Sequence, residues 1–145
     1  MNIPYLLIIP IIVGGITQII KFIVDGVRNK SWDIKVLKSY GGMPSGHAAF
    51  VVSLATIIGL DQGLASPAFA ITVVFALIII RDAVGLRMYL GRHGKTINRL
   101  TRLLPEDEQF RFPVLRERLG HNYSEATVGG IIGLALGYLF YLLLM

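Results

Sequence analysis

The chain has 145 residues, 54% of them hydrophobic and 16% charged, with a mean hydropathy of +0.65. A soluble domain carries about a quarter charged residues, so this composition excludes an ordinary water-soluble enzyme and indicates one all-α domain, residues 1–145, embedded in a bilayer. The net charge of +5 belongs, in so apolar a chain, to cytoplasmic loops and lipid phosphate rather than to nucleic acid, and the lack of cysteine excludes disulfides and thiolate metal sites.

About four membrane spans are expected, at residues 3–27, 45–61, 66–87 and 122–145. The first lacks a basic leader region and a small-residue cleavage site, so it reads as a span and not as a removable signal. Along its second half Gln18, Lys21, Asp25 and Arg28 recur at helical spacing, a polar stripe that should face other helices or water. A polar connection with an interfacial Trp32 follows. Gly41-Gly42-Met43-Pro44-Ser45-Gly46-His47 then opens the second span. Pro44 suits a first helical turn, and Ser45 and Gly46 would leave backbone N–H groups free at a helix N-terminus, where anions bind. His47 places an acid–base group beside them. The same residues also describe a plain glycine turn before a buried helix.

Asp61-Gln62-Gly63 closes the second span. Ser66-Pro67 has the form of an N-cap followed by a first-turn proline, opening the third. That span runs into Arg81-Asp82-Ala83-Val84-Gly85-Leu86-Arg87, whose charges should face a protein interior or a wet pocket. Arg81 and Asp82 suit a structural ion pair equally well. Residues 91–120 form a polar surface loop, with Thr96–Leu104 as a basic amphipathic helix lying on the membrane. His93 reads as a surface residue there, and Glu106-Asp107-Glu108 as a solvated turn. The last span carries Gly129, Gly133 and Gly137 at four-residue spacing, a small-residue groove for close helix packing.

Four spans put both termini on one side. Every Lys and Arg falls within 21–38 or 81–118, in or beside the first and third connections, and the second connection has none. The positive-inside rule makes those two connections cytoplasmic and both termini external. The same topology gathers Lys21 and Arg28, His47, Arg81, Asp82 and Arg87, and His121 and Glu125 at one end of the bundle. Glu125, four residues beyond His121, can hold one imidazole nitrogen and leave the other free to attack. His47 can protonate a departing alkoxide, while Lys21, Arg28 and Arg87 supply positive charge to a phosphoryl group. Two histidines and a glutamate are a sparse set for a metal ion, and none is required. Each residue also has a plain structural use: Lys21 can snorkel, Glu125 can favour a helix N-terminus, and either histidine can be a hydrogen-bonded interfacial residue.

These motifs resemble the phosphatidic acid phosphatase type 2 and vanadium haloperoxidase superfamily. Pro44-Ser45-Gly46-His47 matches its central signature. Lys21, six residues and Arg28 match the first, with Asn29 where proline is usual. His121-Asn122-Tyr123-Ser124-Glu125 looks like the end of the third, with glutamate for aspartate and Leu115 at the arginine position, for which Arg116, Arg118 or Arg87 would substitute. Gly-Gly-Met-Pro-Ser-Gly-His, Arg-Asp-Ala-Val-Gly-Leu-Arg and Leu-Gly-His together resemble a divergent branch of small membrane proteins, over nearly the whole chain. The resemblance implies a phosphatidic-acid-phosphatase-like core and a metal-independent, cofactor-free phosphatase with a phosphohistidine intermediate. His121 would be its nucleophile, Glu125 the orienting partner and His47 the leaving-group acid. Lys21, Arg28, Ser45 and Gly46 would hold the phosphate, joined by Arg87 and the Arg81/Asp82 pair from the charge pattern. The expected protein is a multi-pass cell-membrane hydrolase with a cytoplasmic site, acting on a lipid phosphate or pyrophosphate. It would form a homodimer across the glycine groove. The competing readings are a phosphate- or lipid-binding membrane protein without turnover, and a small anion channel or transporter. Nothing specifies vanadate or haloperoxidase chemistry.

Overall fold

Lipid offers the backbone no hydrogen bonds, so long apolar stretches must pair their own N–H and C=O groups, which selects helices. The computed structural model describes residues 4–30, 32, 41–117 and 119–144. They form α1 (Tyr5–Asn29), α2 (Gly46–Gln62), α3 (Pro67–Arg81), a π-helical turn (Asp82–Leu86), α4 (Arg87–Thr101), the short α5 (Glu106–Gln109) and α6 (Tyr123–Leu144). Helix α1, the continuous helix Pro67–Thr101 and α6 are long and apolar enough to cross a membrane, and α2 is a shorter apolar helix. The protein is a helical membrane bundle.

Helix α2 packs against α1, α3 and α6. Ile9 and Val13 of α1 meet Ala49 and Ile57 of α2 in the core, with Leu136, Phe140 and Tyr141 of α6 against them. The contact with α6 is made by glycine. A Cβ on Gly129 would stand 2.3 Å from the Ser45 carbonyl oxygen, and one on Gly133 only 2.4 Å from that of Ala49. At Gly137 it would be 3.1 Å from the Ser53 Cα. The stripe expected to pair two copies is thus filled by α2 of the same chain, and it gives no support to a homodimer. The physical reason is that α2 presents Ser45, Ala49 and Ser53 along the same line, so the two backbones meet. Large side chains such as Leu7, Ile19, Ile71, Leu77, Ile131 and Leu142 point outward instead, as a lipid-facing surface requires. At one end the Tyr5 hydroxyl donates to the Asp61 carboxylate, and the Tyr141 hydroxyl to the Leu60 carbonyl at 3.3 Å. The charged site lies at the other.

Ser66 caps α3 as expected, its hydroxyl accepting the Phe69 N–H at 3.2 Å with Pro67 in the first turn. Pro44 departs from expectation. Ser45 is the N-cap of α2, accepting the Ala48 N–H, so Pro44 precedes the helix and follows a cis peptide bond. The separate surface helix expected over Thr96–Leu104 is also corrected. Residues up to Thr101 continue the helix that begins at Pro67. With 35 residues at 1.5 Å each, that helix is roughly 52 Å long against a hydrocarbon core of about 30 Å. Its surplus is the charged α4 half. No proline interrupts residues 68–101, and Gly91 and Gly94, which look like breakers, are packing positions. Their α-carbons face the carbonyls of Glu117 and Arg116, which an added Cβ would approach to 2.7 and 2.8 Å. Asn98 completes this contact: its amide donates to the Leu115 carbonyl at 2.8 Å and its oxygen accepts the Leu115 N–H at 2.9 Å. A strap, 115–121 without the undescribed residue 118, is thereby laid along α4 towards the site. His93 and Glu106-Asp107-Glu108 are exposed, and Trp32 folds back over Gly26 and the Phe22 ring, 5.5 Å centroid to centroid.

Candidate active site

His121 ends the strap two residues before α6 and is only 6% exposed. A buried imidazole must have its polar atoms satisfied. Its Nδ1 lies 3.1 Å from Glu125 Oε2 and 3.2 Å from the Gly42 carbonyl oxygen. Both neighbours are acceptors, so the proton of the neutral ring sits on Nδ1, and Nε2 carries the lone pair. The same Oε2 accepts the N–H groups of Gly42 and Asn122, each at 3.2 Å. Burial pushes His121 below the usual histidine range, with Glu125 pulling the other way. Burial favours the neutral ring and the two acceptors favour the proton on Nδ1, the arrangement a nitrogen nucleophile needs.

Gly42 links the halves of this site. Its carbonyl meets His121, its N–H meets Glu125, and its φ of +95° is one that favours glycine. Lys21, 4% exposed, lies against it: a Cβ on Gly42 would be 3.2 Å from Lys21 Cε. Across the turn, His47 is the second residue of α2 and is exposed, its ring centroid 6.1 Å from that of His121. The charges that bear on His47 are those of Arg87, His121, Asp82 and Lys21. A cavity of about 250 Å³ opens beside it, lined by Gly14, Gln18, Gly46, His47, Phe50 and Ile79 among others. Gln18 Oε1 is buried there without a hydrogen-bond partner among the described residues.

Other expected members of the site stand differently. The Ser45 N–H donates to the Glu125 carbonyl oxygen at 3.0 Å and its hydroxyl caps α2. The expectation of a free Ser45 N–H is therefore corrected: the turn ties α2 to α6 with that donor, and Gly46 and His47 supply the first-turn N–H groups that a helix leaves unpaired. Asp82 pairs with Arg87, Oδ2 to Nε at 2.6 Å, and not with Arg81, which is exposed. Arg28 is exposed near the end of α1, and no contact among the described residues brings it to the histidines. Leu115 is tied to Asn98, Arg116 is exposed, and Arg118 lies outside the described residues. Among the described residues no three His, Cys, Asp or Glu side chains gather closely enough to hold a metal ion. Sequence reasoning missed the double use of Gly42, the Ala83 carbonyl, which accepts the His121 N–H at 2.8 Å, and Asn98. The glycine pair at 41–42 was the one available signal; a backbone carbonyl or a strap anchor leaves none.

Comparison with known proteins bears on the family of the chain. The family described as "Divergent PAP2 family" matches residues 4–136, which include His47, His121, Lys21, Arg87 and Glu125. The "Uncharacterized membrane protein YuiD" of Bacillus subtilis (strain 168) is 35% identical over 130 residues, covering 82% of this chain and 82% of that protein. No solved structure matches. A match running from the first described helix almost to the end of the last leaves little of the chain unaccounted for, and the protein belongs to the divergent PAP2 family.

Proposed function

We propose that this protein is a membrane-embedded phosphatase that hydrolyses a lipid phosphate or pyrophosphate through a phosphohistidine. One observation carries the reading: His121 Nδ1 faces two acceptors, which commits its proton there and leaves Nε2 as a nucleophile next to His47 and Lys21. Nε2 attacks phosphorus and the ester oxygen leaves with a proton from His47. Water then attacks the phosphohistidine with His47 as base, returning both histidines to their starting state. Glu125 stabilises the positive imidazole that forms. Lys21, Arg87 and the N–H groups of Gly46 and His47 hold the phosphoryl oxygens, with Arg87 in the part for which Leu115 is unsuited. The leaving group occupies the cavity beside Gln18, and lipid suits its apolar walls. The basic residues of the two connections beside this end support a cytoplasmic orientation for the site under the positive-inside rule.

The test is phosphate release by purified protein from a panel of phosphatidate, phosphatidylglycerol phosphate and polyprenyl phosphates and pyrophosphates, in detergent and in bilayers. Release above that of His121→Ala protein is expected for at least one, and none from the whole panel overturns the reading. Activity also has an expected acid limb. The attacking ring must be neutral, and burial lowers the His121 pKa, so protonation removes activity only as pH falls below the ordinary histidine value. A limb above that value, read from initial rates of release against pH, contradicts the assignment.

The second reading, a phosphate cradle without turnover, draws on Leu115 in the arginine position and on Arg87 being engaged by Asp82. Saturable phosphate binding in the absence of any release would select it.

A further inference from the structure

The turn Asp82–Leu86 is the one π-helical segment among the described residues, and π-turns inside helices have identifiable local consequences. In a regular α-helix the Arg87 N–H bonds the Ala83 carbonyl; here it bonds the Asp82 carbonyl, five residues back. The Ala83 carbonyl instead accepts the backbone N–H of His121 at 2.8 Å. Gly120 fits against the opening, with φ +82°, and an added Cβ would lie 2.8 Å from both Ala83 O and Met88 N. A second consequence is on the side-chain face. Residues five apart on an α-helix stand about 140° from one another and do not pair. The extra residue in this turn brings Asp82 and Arg87 onto one side, where Nε and Oδ2 are 2.6 Å apart.

We propose that this π-turn is the positioning device of the site. It releases the Ala83 carbonyl to fix the His121 backbone, and in the same distortion swings Arg87 beside Asp82 towards His47. The inference rests on the phosphatase reading for its catalytic meaning, but its geometry is independent of turnover. Asn98 holds one end of the strap and the π-turn the other. The ring of His121 is then left only the rotation that Glu125 and Gly42 decide. A strap of this length without the second anchor would leave the nucleophile free to shift by an ångström, enough to cost about 10²-fold in rate.

Two measurements test it. In protein carrying nitrogen-15 histidine and carbon-13 carbonyl alanine, a scalar coupling across the hydrogen bond from the His121 amide to the Ala83 carbonyl is expected. Its absence, in folded wild-type protein, overturns the proposal. Gly120→Ala, which places a methyl against Ala83 O and Met88 N, is expected to mix the His121 ring tautomers in the imidazole nitrogen spectrum and to lower phosphate release about 10²-fold. An unchanged imidazole spectrum in folded Gly120→Ala protein overturns it. Gly15→Ala lies in α1 outside the turn and meets nothing within 4 Å, and is expected to leave spectrum and rate as they are; a disturbance equal to that of Gly120→Ala also overturns it. If wild-type protein releases no phosphate, the phosphatase reading fails while the coupling and the tautomer still decide the role of the turn.

Discussion

His121→Ala protein is expected to release no phosphate above background, a loss on the order of 10⁶-fold where the nucleophile itself is removed. The comparison with His47→Ala gives the result its meaning. His47 donates and accepts protons but does not form the covalent bond, so its removal costs about 10²–10⁴-fold. It should also leave phosphohistidine to accumulate, because the second step needs the base that is missing. Acid-labile, alkali-stable phosphate on His47→Ala protein, absent from the His121→Ala protein, is the expected observation. Equal rates for the two variants, or label retained without His121, exclude His121 as the nucleophile. Both proteins should keep the melting temperature of wild type to within a few degrees. His121→Ala does leave Glu125 with one donor fewer, but the N–H groups of Gly42 and Asn122 remain on its carboxylate.

The largest expected effect on stability is at Gly133. Its α-carbon faces the Ala49 backbone, and a Cβ would sit 2.4 Å from that carbonyl oxygen. Backbone cannot move aside as the end of a flexible side chain can, so Gly133→Val must separate α2 from α6. Overpacking of a tight contact costs about 1–3 kcal/mol, and this site should reach the upper end or exceed it. Gly130→Ala is the matched control: its methyl would be 3.7 Å from Val52 Cγ2, an ordinary contact, and the change expected is within about 0.5 kcal/mol. Thermal unfolding in detergent separates the two. Because Ser45 and Glu125 ride on these same helices, Gly133→Val should also lose the His121 geometry. A Gly133→Val protein as stable as Gly130→Ala would mean that the two helices do not meet at this stripe. The prediction concerns contact within one chain, so it holds at any protein concentration.

Composition alone determined that this is a membrane protein. Lipid imposes long apolar helices, and a run of hydrophobic residues carries that signal locally. The pairing of His121 with Glu125 was legible too, because four residues is a fixed distance on a helix, and the Ser66-Pro67 cap is a local device of the same kind. So was the gathering of His47, Lys21, Arg87 and His121 at one end, since alternating span directions follow from the number of spans. What depends on a neighbour far along the chain was not legible. The glycines of α6 fit a groove for another copy or for α2 equally well, and only packing shows that Ser45, Ala49 and Ser53 fill it. Arg87 directly follows a π-turn that no propensity announces, so the pairing of Asp82 with Arg87, and not with Arg81, had to come from the helix geometry. The Ser45 N–H looked free because its acceptor, the Glu125 carbonyl, lies on another helix. Local chemistry is written in the order of residues; the choice of partner is made by which backbones can approach closely enough to touch.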